Sequence, residues 1–273
     1  MAGATKSLEL GIYLLTDHEL IAGLKAAAEA QVSVAIVIDG SELTAAANAP
    51  AVATLRAAGV RITVASGITF YHAKYLIIDH ATAFVMTCNW THAAFGKNRE
   101  VEVQLDDPQK LSELEALFTA DAGGATLAAS AALVVSPLDS RDKIQTALAG
   151  ATEEIWIGVE ALTDAAIVHT LVARAAAGVA VHVLLPDPAG ASSGAAQQLH
   201  AGGVQVRLMH TLVLHEKVIV ADAVAFVGSE NLTSTSLDHN REVGVIGEGD
   251  FRDTLLSSLQ GDWATAAPFE QQE

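Results

Sequence analysis

The sequence predicts an α/β protein of two homologous α/β sandwich halves, each with a mostly parallel sheet, related by a pseudo-twofold axis. Three observations predict it. The chain aligns with itself along most of its length, alanine-rich helical stretches alternate with apolar runs in each copy, and a His-x-Lys-x4-Asp motif stands at the same place in both.

Taken in order, residues 12–15 and 155–159 read as short apolar strands. Residues 17–30 and 164–177 read as helices, with the neighbouring Thr or Asp as N-cap. Apolar runs at 32–38 and 179–185 read as the next strands. Gly59 and Gly203 follow alanine-rich stretches and end helices before the strands that come next. Residues 75–78 and 218–220 read as buried strands carrying the motifs. The second copy opens with an added segment, 133–150, containing a helix at 142–149. The first copy has no counterpart, which reads as a missing N-terminal element.

Leu55-Arg-Ala-Ala-Gly59-Val matches Leu199-His-Ala-Gly-Gly203-Val, and Asn98-Arg99-Glu100 matches Asn240-Arg241-Glu242. The offset drifts only from 147 residues between Asp17 and Asp164 to 142 between Glu100 and Glu242, so the copies share one fold with a few short gaps. The expected halves are 1–125 and 126–273, divided in the small-residue stretch after Gly123.

A chain of 273 residues that is 51% hydrophobic can bury a core for two such halves. It contains no run of 18 residues free of polar or charged side chains, so no transmembrane span is expected. The N-terminus lacks the apolar stretch and small-residue cleavage site of a signal peptide. A soluble protein is expected, with its compartment open. A single cysteine, Cys88, rules out an internal disulfide or a cysteine zinc cluster. The formal net charge of -17 disfavours nucleic acid as a partner, but a small phosphodiester needs only local positive charge.

The motif residues are His72, Lys74 and Asp79 in the first copy and His215, Lys217 and Asp222 in the second. Asn89 and Asn231 follow, then Glu100 and Glu242, at nearly equal spacings. Three fixed identities recur by chance at roughly 10⁻⁴ per position or less at ordinary residue frequencies, so the duplicated set is not an accident. In a strand, residues two apart share a face, which sends each His and Lys the same way. Two lysines and two asparagines offer cationic and amide donors to phosphate oxygens. One imidazole can attack phosphorus while the other protonates the leaving oxygen. Glu100 and Glu242 are candidates to fix the imidazole tautomers, with the pairing open.

These residues resemble the phospholipase D superfamily, and the resemblance covers nearly the whole chain. The second copy carries His215-Glu-Lys217 and Gly228-Ser229-Glu-Asn231; the first has Met86-Thr87-Cys88-Asn89 where the family has Gly-Ser-x-Asn. The resemblance implies a phosphohistidine intermediate, no metal and no cofactor. It implies His72 as nucleophile and His215 as acid and then base. It implies hydrolysis or transphosphatidylation of phospholipids, with a nuclease or an inactive phosphate-binding member as alternatives. Thr87, Ser229, Tyr71, Trp90 and Glu160 are candidate substrate contacts, Glu160 being set opposite Leu14 of the first copy. Phe70, Tyr71, Trp90, Phe95 and residues 212–214 are candidates for an apolar rim facing acyl chains, with transient membrane-surface contact. Asp79 and Asp222 read as structural. One chain carries both motifs, so a monomer is expected.

Overall fold

The computed structural model describes residues 3–123, 127 and 130–270, so the expected division between 125 and 126 lies outside the described residues. The first half runs β1 (Ser7–Ile12), α1 (His18–Glu29), β2 (Ser33–Asp39), α2 (Ala45–Ala57), β3 (Arg61–Ala65), β4 (Tyr75–Ile78), β5 (Thr82–Met86), α3 (His92–Gly96), β6 (Asn98–Arg99), β7 (Glu102–Leu105) and α4 (Pro108–Gly123). The second runs β8 (Leu133–Ser136), α5 (Ser140–Gly150), β9 (Glu154–Val159), α6 (Ala165–Ala176), β10 (Ala180–Pro186), α7 (Ser193–Ala201), β11 (Gln205–Met209), β12 (Val213–Leu214), β13 (Lys217–Ala221), β14 (Val224–Gly228), α8 (Ser234–Asp238), β15 (Glu242–Glu248), α9 (Asp250–Thr265) and β16 (Ala267–Pro268).

One sheet has the order β3-β2-β1-β4-β5-β7 and the other β16-β11-β10-β9-β13-β14-β15-β8. The α/β halves are as expected, and their sheets are mixed. Strands joined through helices, β1-β2-β3 and β9-β10-β11, run parallel. The motif strands β4 and β13 enter antiparallel. The reason lies in the connection: β4 turns into β5 through Asp79, His80 and Ala81 alone, and only antiparallel neighbours accept so short a link. Asp79 and His80 take positive φ, +55° and +56°, to turn the chain back within three residues.

The first strand lies at Ser7–Ile12 rather than 12–15. Beyond Ile12 the chain leaves the sheet: Leu15 N–H donates to Asn48, and Thr16 N–H to the Trp90 carbonyl. The repeat offset of 147, carried back from Ile155, points to this earlier register. Asp17 and Asp164 cap α1 and α6, each accepting two backbone N–H groups of the first turn.

Alternation sorts the side chains into layers. Leu8, Leu10 and Ile12 of β1 and Leu76 of β4 pack outward against α1 and α2. Tyr75 and Ile77 of β4 face inward and meet Val218 and Val220 of β13 in a core shared by both halves. Ile155, Ile157 and Val159 pack outward against α5, α6 and α7. Helices α4 and α9, which periodicity did not single out, contribute Leu114, Leu117, Leu255 and Leu259 to the shared core. The halves are thus joined through their inner faces, which sets the motif-bearing ends side by side.

Candidate active site

His72, Ala73 and Lys74 lead directly into β4, and His215 and Glu216 into β13, whose first residue is Lys217. What positions them is a backbone exchange between the halves. His72 N–H donates to the Arg241 carbonyl at 2.8 Å, and Arg241 N–H returns a bond to Phe70 at 2.8 Å. In the other direction β12 pairs parallel with β6, and His215 N–H donates to the Arg99 carbonyl at 3.1 Å. The Asn-Arg-Glu segment of one copy therefore lies along the His-x-Lys segment of the other.

The glutamates cross with it. Glu242 Oε2 sits 2.8 Å from His72 Nδ1, and Glu100 Oε1 sits 2.8 Å from His215 Nδ1. Each carboxylate is held by donors from its own half. Asn240 Nδ2 (2.9 Å) and Ser236 Oγ (2.7 Å) reach Glu242; Asn98 Nδ2 (3.0 Å) and Thr87 Oγ1 (2.7 Å) reach Glu100. Burial works to raise both carboxyls, but the paired histidines and these donors hold them below the usual range. A carboxylate at Nδ1 puts a proton there and turns Nε2 outward, as a lone pair when the ring is neutral and as an acid when the ring is protonated. Burial pushes both histidines below the ordinary imidazole value, against their glutamates. His215 has a second carboxylate, Glu160, 3.3 Å from its Nε2, which supports a proton there.

Both lysines are buried, and each Nζ donates to the carbonyl of its own motif histidine at 2.5 Å. Burial pushes the Lys74 ammonium down to about 8, although Glu242 opposes the shift; the charges of Lys217, Glu160 and Glu100 act on it as well, so the two motifs share one field. Asn231 Nδ2 and Lys217 Nζ both donate to Glu160 Oε2, at 3.1 and 2.8 Å. Asn89 Oδ1 is buried without a hydrogen-bond partner among the described residues.

Four expected substrate contacts lie elsewhere. Tyr71 is 1% exposed, and its hydroxyl meets Tyr75 in the shared core, because the residue beside His72 faces the opposite way. Trp90 is 4% exposed and packs among the residues under α1 and α2. Thr87 and Ser229 are fully buried. Their hydroxyls accept from the N–H groups of Val101 and Val243, so they pin the chain just past each glutamate rather than face a ligand. In the apolar rim, Phe95, Leu212 and Val213 are exposed, while Leu214 is buried. Asp79 and Asp222 lie at the far ends of β4 and β13. Each carboxylate collects three successive backbone N–H groups at the start of β1 or β9.

The position matching Glu160 is Tyr13, not Leu14: the offset of 147 that pairs Asp17 with Asp164 also pairs these two. The Tyr13 ring meets His72 edge-on at 4.6 Å and lies 5.3 Å beneath the Lys74 ammonium. Asn98, Asn240 and Ser236 were also missed as supports of the glutamates. The repeated Asn two residues before each Glu was the available signal.

The chain matches the family model described as cardiolipin synthase, PLD-like domain, over residues 1–122 and 144–263, which include both motifs. A mitochondrial cardiolipin hydrolase of Xenopus laevis is 28% identical over 107 residues, 39% of this chain and 50% of that relative, so the match spans about half its length. Polyphosphate kinase from Porphyromonas gingivalis superposes with a TM-score of 0.77 at 14% identity, covering 99% of this chain and 48% of that one. Phosphatidylserine synthase from Haemophilus influenzae Rd KW20 superposes with a TM-score of 0.74 at 13% identity, covering 98% and 83%. At these identities the structural likeness is one of fold.

Proposed function

The chain belongs to the family of cardiolipin synthase PLD-like domains, within the phospholipase D superfamily, and on that premise we propose that it is a metal-independent phosphodiesterase acting on phospholipids through a phosphohistidine. The observation that carries the reading is the crossed pairing of His72 with Glu242 and of His215 with Glu100 beside two buried lysines. The acidic balance of the chain, net -17, and the exposed Phe95, Leu212 and Val213 support a lipid over nucleic acid.

His72 Nε2 attacks phosphorus while Glu242 steadies the imidazolium that forms. The bond from phosphorus to the leaving oxygen breaks, and His215 Nε2 gives that oxygen a proton. Water or an alcohol then loses its proton to His215, its oxygen attacks phosphorus, and the nitrogen–phosphorus bond breaks. Lys74, Lys217, Asn89 and Asn231 take the non-bridging oxygens and the charge that develops on them. One chain supplies both histidines, so the cycle needs no second copy.

Short-chain phospholipids of several head groups and fluorescent single-stranded DNA, offered to wild type and His72→Ala, test the proposal. Head-group release lost in the variant and unaffected by EDTA is the expected result. DNA cleavage alone would make the protein a nuclease, and loss in EDTA restored by zinc or calcium would refute the metal-free cycle.

A further inference from the structure

The two halves of the site differ in charge at one matched position. Tyr13 closes the first half with an aromatic edge against His72. Glu160, its counterpart, lies among the donors of the second half. Its Oε2 accepts from Lys217 Nζ at 2.8 Å and Asn231 Nδ2 at 3.1 Å, and stands 3.3 Å from His215 Nε2. Those three groups, a lysine, an asparagine and the reactive nitrogen of a histidine, are what the proposed cycle offers to a phosphate oxygen. The carboxylate thus fills an oxyanion position with the protein's own anion. Although burial opposes ionisation, Lys217 and His215 hold Glu160 well below the usual carboxylate range, so it is charged throughout the working pH range. Its side chain retains 36% of its exposure, enough to swing outward when displaced.

Resting on the phosphodiesterase reading, we propose that Glu160 is a built-in competitor for the phosphate cradle, which admits a singly charged phosphodiester and resists a doubly charged phosphomonoester. The incoming anion must take Lys217 and Asn231 from Glu160 and then sit beside a like charge. A phosphomonoester, the product of hydrolysis, carries nearly twice the charge of the diester and is repelled correspondingly more. Glu160 is therefore a specificity-determining residue that favours product departure.

Calorimetric titration with inorganic phosphate and with diethyl phosphate at pH 7.5 tests this without turnover. A like charge this close is worth a tenfold or larger effect. Glu160→Gln keeps the side chain's size, and should tighten phosphate about tenfold or more and diethyl phosphate by less. Glu160→Ala should move phosphate affinity the same way, which covers a fault in folding of the first variant. Lys74→Ala serves as the reference for the cradle itself. Phosphate binding that Lys74→Ala abolishes but both Glu160 variants leave unchanged or weaken would overturn the competitor and leave the cradle standing. Absence of binding by every variant, Glu160→Gln included, would overturn the cradle and the competitor together.

Discussion

Glu216→Gln should stabilise the protein strongly at pH 8 and little at pH 5. Glu216 is the middle residue of the second His-x-Lys motif and is fully buried, pressed against Gly158, where a Cβ would collide with its carboxyl. Neither carboxyl oxygen has a hydrogen-bond partner among the described residues. Arg99 Nε is 3.8 Å away and is already bonded to Asp262 at 2.6 Å. Burial pushes the carboxyl from 4.5 up to about 8, against the pull of Arg99. The folded protein therefore keeps a proton that the unfolded chain releases. Stability from this group is intact below about pH 4.5 and falls as pH rises through about 8. A gap of this size is worth about 5 kcal/mol once fully expressed, at about 1.4 kcal/mol per unit. Glutamine does not titrate, so the variant escapes the loss. Urea midpoints of both proteins at pH 5 and pH 8 measure it, and the corresponding rise in Tm at pH 8 is on the order of 10 °C. Equal shifts at the two pH values, or a variant weaker than wild type at pH 8, would refute the buried neutral carboxyl.

Glu242→Gln and Glu100→Gln should each lower kcat by about 10²-fold or more, because a neutral amide cannot steady an imidazolium, and Asn240 or Asn98 would then face a mismatched donor. Steady-state kinetics at one pH checks this; a loss confined to KM would contradict it. The alkaline limb of kcat/KM should fall near pH 8, where Lys74 gives up its proton and the cradle loses a cation. Lys74→Arg should move that limb upward whatever its overall rate, as read from the pH–rate profile.

The halves were legible because the motif and the Asn-Arg-Glu segment recur at a nearly constant offset. The crossing of the glutamates was not. Comparing a chain with itself finds equivalent residues within each half and says nothing of how the halves dock; the crossing follows from β6 pairing with β12 and from the exchange between His72 and Arg241. Tyr71 and Trp90 misled because closeness in sequence to a motif is not closeness in space: adjacent residues in extended chain face opposite sides. Tyr13 was hidden by a one-residue slip, which is enough to exchange a site residue for its neighbour. α4 and α9 escaped because each helix turns only part of its surface into the shared core, in a pattern less regular than that of α1 and α6.

The covalent intermediate is the most direct test of the account. Bis(4-nitrophenyl) phosphate has a leaving group that needs no acid, whereas release of the phosphoryl group from the protein needs a base. His215→Ala should therefore accumulate a stable adduct, visible by intact mass and mapped to His72, while wild type turns over and His72→Ala stays unmodified. An adduct on any other residue, or turnover by His72→Ala comparable to wild type, would contradict the account.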